Sequence, residues 1–179
     1  MTLDAFLSWE ERQLDRHDFR AGVVVAFAGT SDTHNQIATN LTLAIEPALG
    51  EGPCRLYVGD VALVTAYPSS RYPDVFVTCD ERDTNDSMRK RHPKLIVEIL
   101  SSSTAAVDAN EKLDEYETIP TLEEYALVDS RRVSVRMFRR VGHQLVTDPL
   151  IITGSLELRS IGTMVPLATI YRKIVFDRP

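Results

Sequence analysis

A single carboxylate interrupts the most apolar stretch of this chain. Residues 95–100 are aliphatic except for Glu98. A continuous apolar run of this length is typical of a central strand covered on both faces, and an unpaired carboxylate inside such a strand is costly to bury. A metal ion or a cationic side chain must therefore compensate the charge of Glu98, so the sequence predicts either a functional site or a structural ion pair here.

Two more charged residues favour a functional site. Asp74 precedes the apolar segment 75–77, and Lys112 lies in the helix predicted after the Glu98 strand. Two carboxylates together with the backbone oxygen of Ile99 can hold Mg²⁺ or Mn²⁺. Such an ion polarises a phosphodiester and activates water, while Lys112 can orient that water or hold the phosphate. The sequence thus predicts a metal-assisted phosphodiester hydrolase, with the chemistry of a nuclease and with Asp74, Glu98 and Lys112 as its catalytic residues, but these residues do not identify the substrate.

Each of these residues also has a structural interpretation. Asp74 follows Pro73 and can cap a strand turn, Glu98 can form an ion pair, and a helical lysine such as Lys112 is most often solvated. These alternatives stay open on the sequence alone.

Four supporting residues surround the three. Asp108 and Glu111 have the spacing of a capping box at a helix start, and Tyr116 shares a helical face with Asp108 and Lys112. His34 lies near the start of another predicted helix, where a boundary histidine is the plain alternative to a site residue. Asp18 is the fourth, through a resemblance described below.

Composition limits the classes of protein that fit. The chain has 179 residues, of which 44% are hydrophobic and 26% charged, so we expect one globular domain over residues 1–179. No apolar run approaches the roughly 20 residues of a membrane span. Asp4 stands where a secretory signal would be basic. We therefore expect a cytoplasmic protein without membrane partners, with Cys54 and Cys79 as buried free thiols.

The net charge of −6 argues against a protein that coats nucleic acid. The acidic excess lies in residues 1–88, which hold 14 acidic and 6 basic side chains. A local basic cluster follows, Arg89, Lys90 and Arg91. This cluster is a candidate nucleic-acid contact, and the alternative interpretation is an ordinary solvated loop.

Periodicity predicts an α/β-type domain with a mixed sheet of about six or more strands and helices on its faces. The expected helices cover residues 4–16, a stretch capped by Ser31 and closed by Gly50, residues 105–118, and a terminal segment. The expected strands cover residues 23–27, two segments of 55–65, 75–77, 95–100, 125–129 and 133–138, with a polar loop at 80–92, and the alternation of Leu156 and Leu158 indicates one more strand. The pair 125–138 forms a hairpin that closes the sheet or buries a dimer contact.

An ordered series of short motifs resembles one known family over nearly the whole chain. Besides the opening ten residues and the stretches around Asp18 and His34, the series comprises Arg71-Tyr72-Pro73-Asp74-Val75, Val97-Glu98-Ile99-Leu100-Ser101, Asp108, Glu111-Lys112 and Tyr116. This series resembles the Uma2 family, which is similar to the PD-(D/E)XK restriction endonuclease-like nucleases.

The resemblance implies a restriction endonuclease-like core with Asp74 and Glu98 as metal-binding acids. The family usually has glutamate where this chain has Asp18, which implies a supporting acid of shorter reach. The wider nuclease pattern has a lysine two residues after the glutamate, where this chain has Leu100. Lys112, on the following helix, resembles a replacement for that lysine at a different position of the chain. His34 also matches a family position.

Three functions are compatible with these residues. The first is a Mg²⁺-dependent DNA endonuclease, acting as a homodimer if it must cut both strands. The second is a non-catalytic module that keeps the fold and binds nucleic acid or protein. The third is a hydrolase of another phosphodiester.

Overall fold

The structure, a computed structural model, describes residues 1–27, 29–101 and 108–176, without the side chains of residues 108–110. The helices are α1 (Leu3–Glu10), α2 (Asp32–Leu49), α3 (Asp108–Glu117) and α4 (Leu167–Ile170). The strands are β1 (His17–Arg20), β2 (Val23–Ala26), β3 (Arg55–Val58), β4 (Ala62–Thr65), β5 (Ser69–Arg71), β6 (Val75–Thr78), β7 (Arg89–Lys90), β8 (Pro93–Leu100), β9 (Glu124–Asp129), β10 (Val135–Val141), β11 (Gln144–Thr147), β12 (Ser155–Leu158) and β13 (Thr163–Pro166).

A six-stranded mixed sheet carries the main core. Its order is β11-β10-β9-β8-β6-β3, with β8 and β9 parallel and the other pairs antiparallel. Alternate residues of β8 face opposite sides: Val97 and Ile99 pack with α2, whereas Ile96 packs with Tyr116 of α3. The predicted fold class, a mixed sheet flanked by helices, is confirmed.

A second sheet and a small third one complete the domain. The second has the order β2-β1-β5-β4-β7 and encloses its own small core around Phe6, Phe19 and Val64. In the third, β12 pairs with β13. The sequence did not predict β1, β5, β7, β11 or β13, because all five are short and β1, β5 and β7 are also mostly polar.

Local signals explain the best-predicted helix. Ser31 caps α2 by accepting a hydrogen bond from the backbone N–H of His34 at 3.2 Å. Gly50, at φ +58°, ends it in a conformation that suits glycine. The predicted helix 4–16 ends early, at Glu10, and of the predicted helix 105–118 residues 105–107 lie outside the described part of the chain. Among the helices described, none has the length and apolarity needed to cross a membrane.

The expectation of free cysteines is wrong. Cys54 and Cys79 form a disulfide with their Cα atoms 3.9 Å apart. The cause is sheet register: Arg55 of β3 lies opposite Thr78 of β6, so the residues just outside that pair are also neighbours. The sequence separation of 25 residues conceals this contact.

Candidate active site

Strand pairing brings the two predicted acids to the same level of the large sheet. Asp74 immediately precedes β6, and because Val75 pairs with Val97 of β8, Asp74 lies level with Glu98. The backbone N–H of Ile99 donates a hydrogen bond to Asp74 Oδ2 at 2.7 Å. This bond fixes one oxygen of the Asp74 carboxylate at the edge of the strand that carries Glu98.

Glu98 is buried against α3, and both of its carboxylate oxygens have a partner. The Tyr116 hydroxyl donates to Oε1 at 2.7 Å, and Lys112 Nζ lies 3.1 Å from Oε2. Residues 112 and 116 are one helical turn apart, so they reach the same carboxylate from one face of α3. The helix thereby supplies the cation that the sequence required for Glu98.

Burial dominates the protonation of this group. The pKa of Glu98 is raised to about 7, because burial and the nearby Asp74 charge raise it by more than the Lys112 charge and the hydrogen bonds from Tyr116 and Lys112 lower it. Burial, with the Glu98 charge, also holds the pKa of Tyr116 well above its ordinary value, so its hydroxyl stays protonated and donates.

His34 approaches Asp74 from the first turn of α2. Its Nε2 lies 3.2 Å from Asp74 Oδ2, and its ring also hydrogen-bonds the Ile99 main chain. Burial lowers the pKa of His34, but the hydrogen bond to Asp74 and the charges of Asp74 and Glu98 outweigh burial and raise it. The helix start therefore joins the two strands at the site.

Asp18 belongs to a neighbouring ion-pair network that the sequence did not reveal. Arg71 Nη1 donates to Asp18 Oδ2 at 3.0 Å, and the same guanidinium donates to Glu115 at 2.9 and 2.7 Å. Arg20 binds Glu115 at 2.8 Å and also contacts Glu111. Sequence separations of 44 and 53 residues hid these pairs, and an arginine within the Arg71-Tyr72-Pro73-Asp74 motif was the only available signal.

Of the remaining predicted residues, the structure describes only the backbone of Asp108, and it does not bring the basic cluster to this site. Asp108 begins α3, but its side chain lies outside the described part. Lys90 is buried and donates to the backbone oxygens of Asp83 and Asp86, which accounts for it as a structural residue. Arg89 pairs with Glu11, and Arg91 is exposed.

A cleft of about 1000 Å³ holds the predicted acids and lysine. Both sheets, the start of α2 and the start of α3 form its walls. Its lining includes His34, Asp74, Glu98, Ile99 and Lys112. Arg89, Lys90 and Arg91 are not in this lining.

The oxygen donors in the cleft could supply some, but not all, of the ligands of a hard divalent ion. Among the described residues, no three carboxylate, histidine or cysteine side chains form a ready ligand cluster. Asp74 and Glu98 do supply two carboxylates beside the Ile99 main chain, and Mg²⁺ typically takes one or two carboxylates and completes its shell with water and substrate phosphate. The residues therefore fit Mg²⁺ better than an ion that needs a full set of protein ligands.

Comparison with known proteins agrees with this architecture. The model of the Uma2 family, described as "Putative restriction endonuclease", matches residues 3–161. Two uncharacterized proteins of Synechocystis sp. are similar: one is 33% identical over 97% of this chain and 92% of its own length, the other 34% identical over 79% and 82%.

A solved structure from Anabaena variabilis, described as "a putative nuclease belonging to DUF820", has the same fold. It superposes with a TM-score of 0.80 over 96% of this chain and 97% of its own, at 15% identity. The family match spans both sheets and every residue of the cleft discussed above, and we conclude that this chain belongs to the Uma2 family.

Proposed function

We propose that this protein is a Mg²⁺-dependent endonuclease that hydrolyses phosphodiester bonds of DNA. The observation that carries the proposal is the convergence of Asp74 and Glu98 from neighbouring strands, with Lys112 Nζ 3.1 Å from Glu98. Membership of a family described as restriction endonucleases supports the same reaction class. Arg89, Lys90 and Arg91 are not needed for it.

In this proposal Asp74, Glu98 and the Ile99 carbonyl would hold Mg²⁺, which would polarise the phosphate and lower the pKa of the attacking water. Hydrolysis forms a bond from the water oxygen to phosphorus and breaks one phosphorus–ester bond. A proton leaves the water and the departing oxygen takes one up. Lys112 holds the scissile phosphate or orients the water, Tyr116 fixes the Glu98 carboxylate, and His34 with the Ile99 N–H fixes Asp74.

Calorimetric titration with Mg²⁺ and Mn²⁺ tests the proposal first. Wild type should bind the ion, and an Asp74→Asn/Glu98→Gln double variant should not. Glu46→Gln, at an exposed position of α2, is the matched control and should bind like wild type. Cleavage of a DNA substrate by wild type and not by Glu98→Gln, with an unchanged circular dichroism spectrum, completes the test.

The second candidate is a non-catalytic binding module. Both oxygens of Glu98 already have protein partners, as in a closed structural ion pair. This alternative predicts that metal does not bind even when a DNA strand is present. Metal binding that disappears in the double variant would exclude it.

Each chain contributes one such site. Cleavage of both strands of a duplex would therefore take a homodimer, and we propose that state, in the cytoplasm, for any double-strand activity. Sedimentation velocity with and without duplex DNA tests it, and a monomer that cuts both strands would contradict it.

A further inference from the structure

Strand β2 presents an exposed apolar stripe to the cleft. Val23, Val25 and Phe27 line the cleft and are 61%, 55% and 45% exposed. Val24, between them in sequence, packs instead against the small core with Phe19. Val24 therefore lies on the other side of the strand from its two neighbours, while Ala26, at the end of β2, is exposed and also lines the cleft. The stripe, defined here as Val23, Val25 and Phe27, is thus a surface of the cleft and not part of the core.

A charged row runs beside the stripe. In the antiparallel register Val23 lies opposite Arg20, and Val25 lies opposite Asp18. Residues directly opposite in an antiparallel pair share a face of the sheet, so the charged row separates the stripe from the interior of the cleft.

Two aromatic rings add to the apolar surface. Tyr67 is 39% exposed, lines the cleft and has the Arg20 guanidinium 5.9 Å from its ring centre. Phe27 meets Tyr72 edge-on, with ring centres 5.9 Å apart. The Phe27 ring is thus supported from one side while it remains open to the cleft.

The charge of the cleft does not suit duplex DNA. The lysine and arginine side chains of its described lining are Arg20, Arg71, Lys112 and Arg131, and each has a carboxylate partner. The acidic side chains of its lining are Asp18, Asp32, Asp74, Glu98 and Glu111. A duplex presents phosphates outward and keeps its bases stacked inside, so its affinity depends on excess positive charge, which is absent from the part of the cleft lining that the structure describes.

An unpaired strand matches the cleft better, because its bases expose apolar π-faces that stack on aromatic side chains. We propose that the cleft selects an unpaired strand of DNA, with bases against the stripe and Tyr67 and the backbone toward Asp74 and Glu98. The inference rests on the proposed function for the position of the cleaved bond. Its new content is the substrate class and the residues that recognise it.

Fluorescence anisotropy with a labelled oligonucleotide, single-stranded or annealed to its complement, tests this inference in EDTA, where no cleavage occurs. Wild type should bind the single strand at least about tenfold more tightly than the duplex. The Val25→Ser/Phe27→Ala double variant should weaken single-strand binding by about tenfold, within the range known for loss of base stacking. Val141→Ser, at an exposed position of β10 outside the cleft lining, is the matched control and should bind like wild type.

Equal affinities for the two forms, or an unchanged affinity in the double variant, would overturn the inference. So would sedimentation showing that Val25→Ser/Phe27→Ala only dissociates a dimer, because a second copy would then cover the stripe.

Metal titration and cleavage separate this inference from the proposed function. The double variant should bind Mg²⁺ like wild type, since none of the proposed ligands is changed. Equal cleavage of single strand and duplex would overturn strand selection while supporting the nuclease. Selective strand binding without metal binding would overturn the nuclease and support the selection.

Discussion

Glu98 is the residue at which the free-energy cost of burying a carboxylate coincides with a proposed metal ligand. Its carboxylate is buried in a central strand, where burial raises its pKa to about 7. Tyr116 donates a hydrogen bond to one carboxylate oxygen and Lys112 pairs with the other, and both contacts offset the free-energy cost of burying the charge. An acid held near neutrality is a common property of functional sites, and it links metal binding to pH.

We predict that Mg²⁺ affinity rises by about tenfold between pH 6 and pH 8, as a carboxyl with a pKa near 7 loses its proton. Protonated Glu98 cannot bind the ion, and the raised pKa of His34 acts in the same direction because a protonated imidazole beside Asp74 repels a cation. Calorimetry across this pH range measures the effect. A constant affinity would contradict the prediction that metal binding requires Glu98 to lose a proton in this pH range.

Lys112 acts at the same carboxylate but should not hold metal. Lys112→Gln is expected to lower the rate of cleavage by about 10²–10⁴-fold, and also to move the pH dependence of Mg²⁺ binding upward, because the charge of Lys112 lowers the pKa of Glu98. Lys94→Gln, which removes a more exposed lysine paired with Glu123, serves as the control. An unchanged pH dependence in Lys112→Gln would contradict this coupling.

At the scale of elements, α3 joins the two sheets. One part of its surface carries Lys112 and Tyr116 to β8, while Glu115 reaches Arg71 of β5 and Arg20 of β1. Glu115 is 1% exposed, so its ion pairs lie in the interior. The position of Lys112 therefore depends on a network outside Asp74 and Glu98 themselves.

Glu115→Gln should lower the free energy of unfolding by about 3 kcal/mol, because it leaves the buried Arg71 guanidinium without its main counter-charge. Asp114→Asn, at an exposed position of the same helix, makes the same change of charge and should have little effect. Urea denaturation of the two variants measures the difference. Equal stabilities would show that the network does not anchor α3.

Two neighbouring basic residues of the segment 80–92 have different environments: Lys90, in β7, is buried, and Arg91 is exposed. Lys90→Met should lower the free energy of unfolding by about 2 kcal/mol, because it removes a buried charged donor to two backbone oxygens, and should leave DNA affinity unchanged. Arg91→Met should leave stability unchanged. Thermal melts and anisotropy test both, and weaker DNA binding in both variants would restore the cluster as a nucleic-acid contact.

The elements that could be predicted from the sequence are those with a local signal. Examples are the apolar runs of β6, β8 and β9 and the capped helix α2. Because Asp74 precedes β6 and Glu98 lies in β8, predicting these strands also located the two acids. Strands such as β1 and β5 consist largely of charged and hydroxyl residues, and they are held by pairing with strands that are distant in sequence. Hydrophobic periodicity therefore does not distinguish them from loops. The Arg71–Glu115 network and the disulfide depend on that same non-local pairing, which explains why they were missed.

At the scale of the whole molecule, the net charge of −6 limits how DNA can be held. The four lysine and arginine side chains of the described cleft lining are already ion-paired. If the proposed function holds, we expect affinity for DNA to come mainly from base contacts and from the metal, and only slightly from the release of counterions. This separates the protein from binders that depend on a basic surface.

The salt dependence of strand binding tests that conclusion. Each phosphate contact to a single strand contributes about −0.7 to the slope of log K against log salt concentration. Since four lysine and arginine side chains line the described cleft, we expect a slope shallower than about −3. Anisotropy titrations over a range of NaCl concentrations give the slope. A steeper one would reveal further phosphate contacts outside the cleft, and the same titration with Arg91→Met would show whether Arg91 provides one of them.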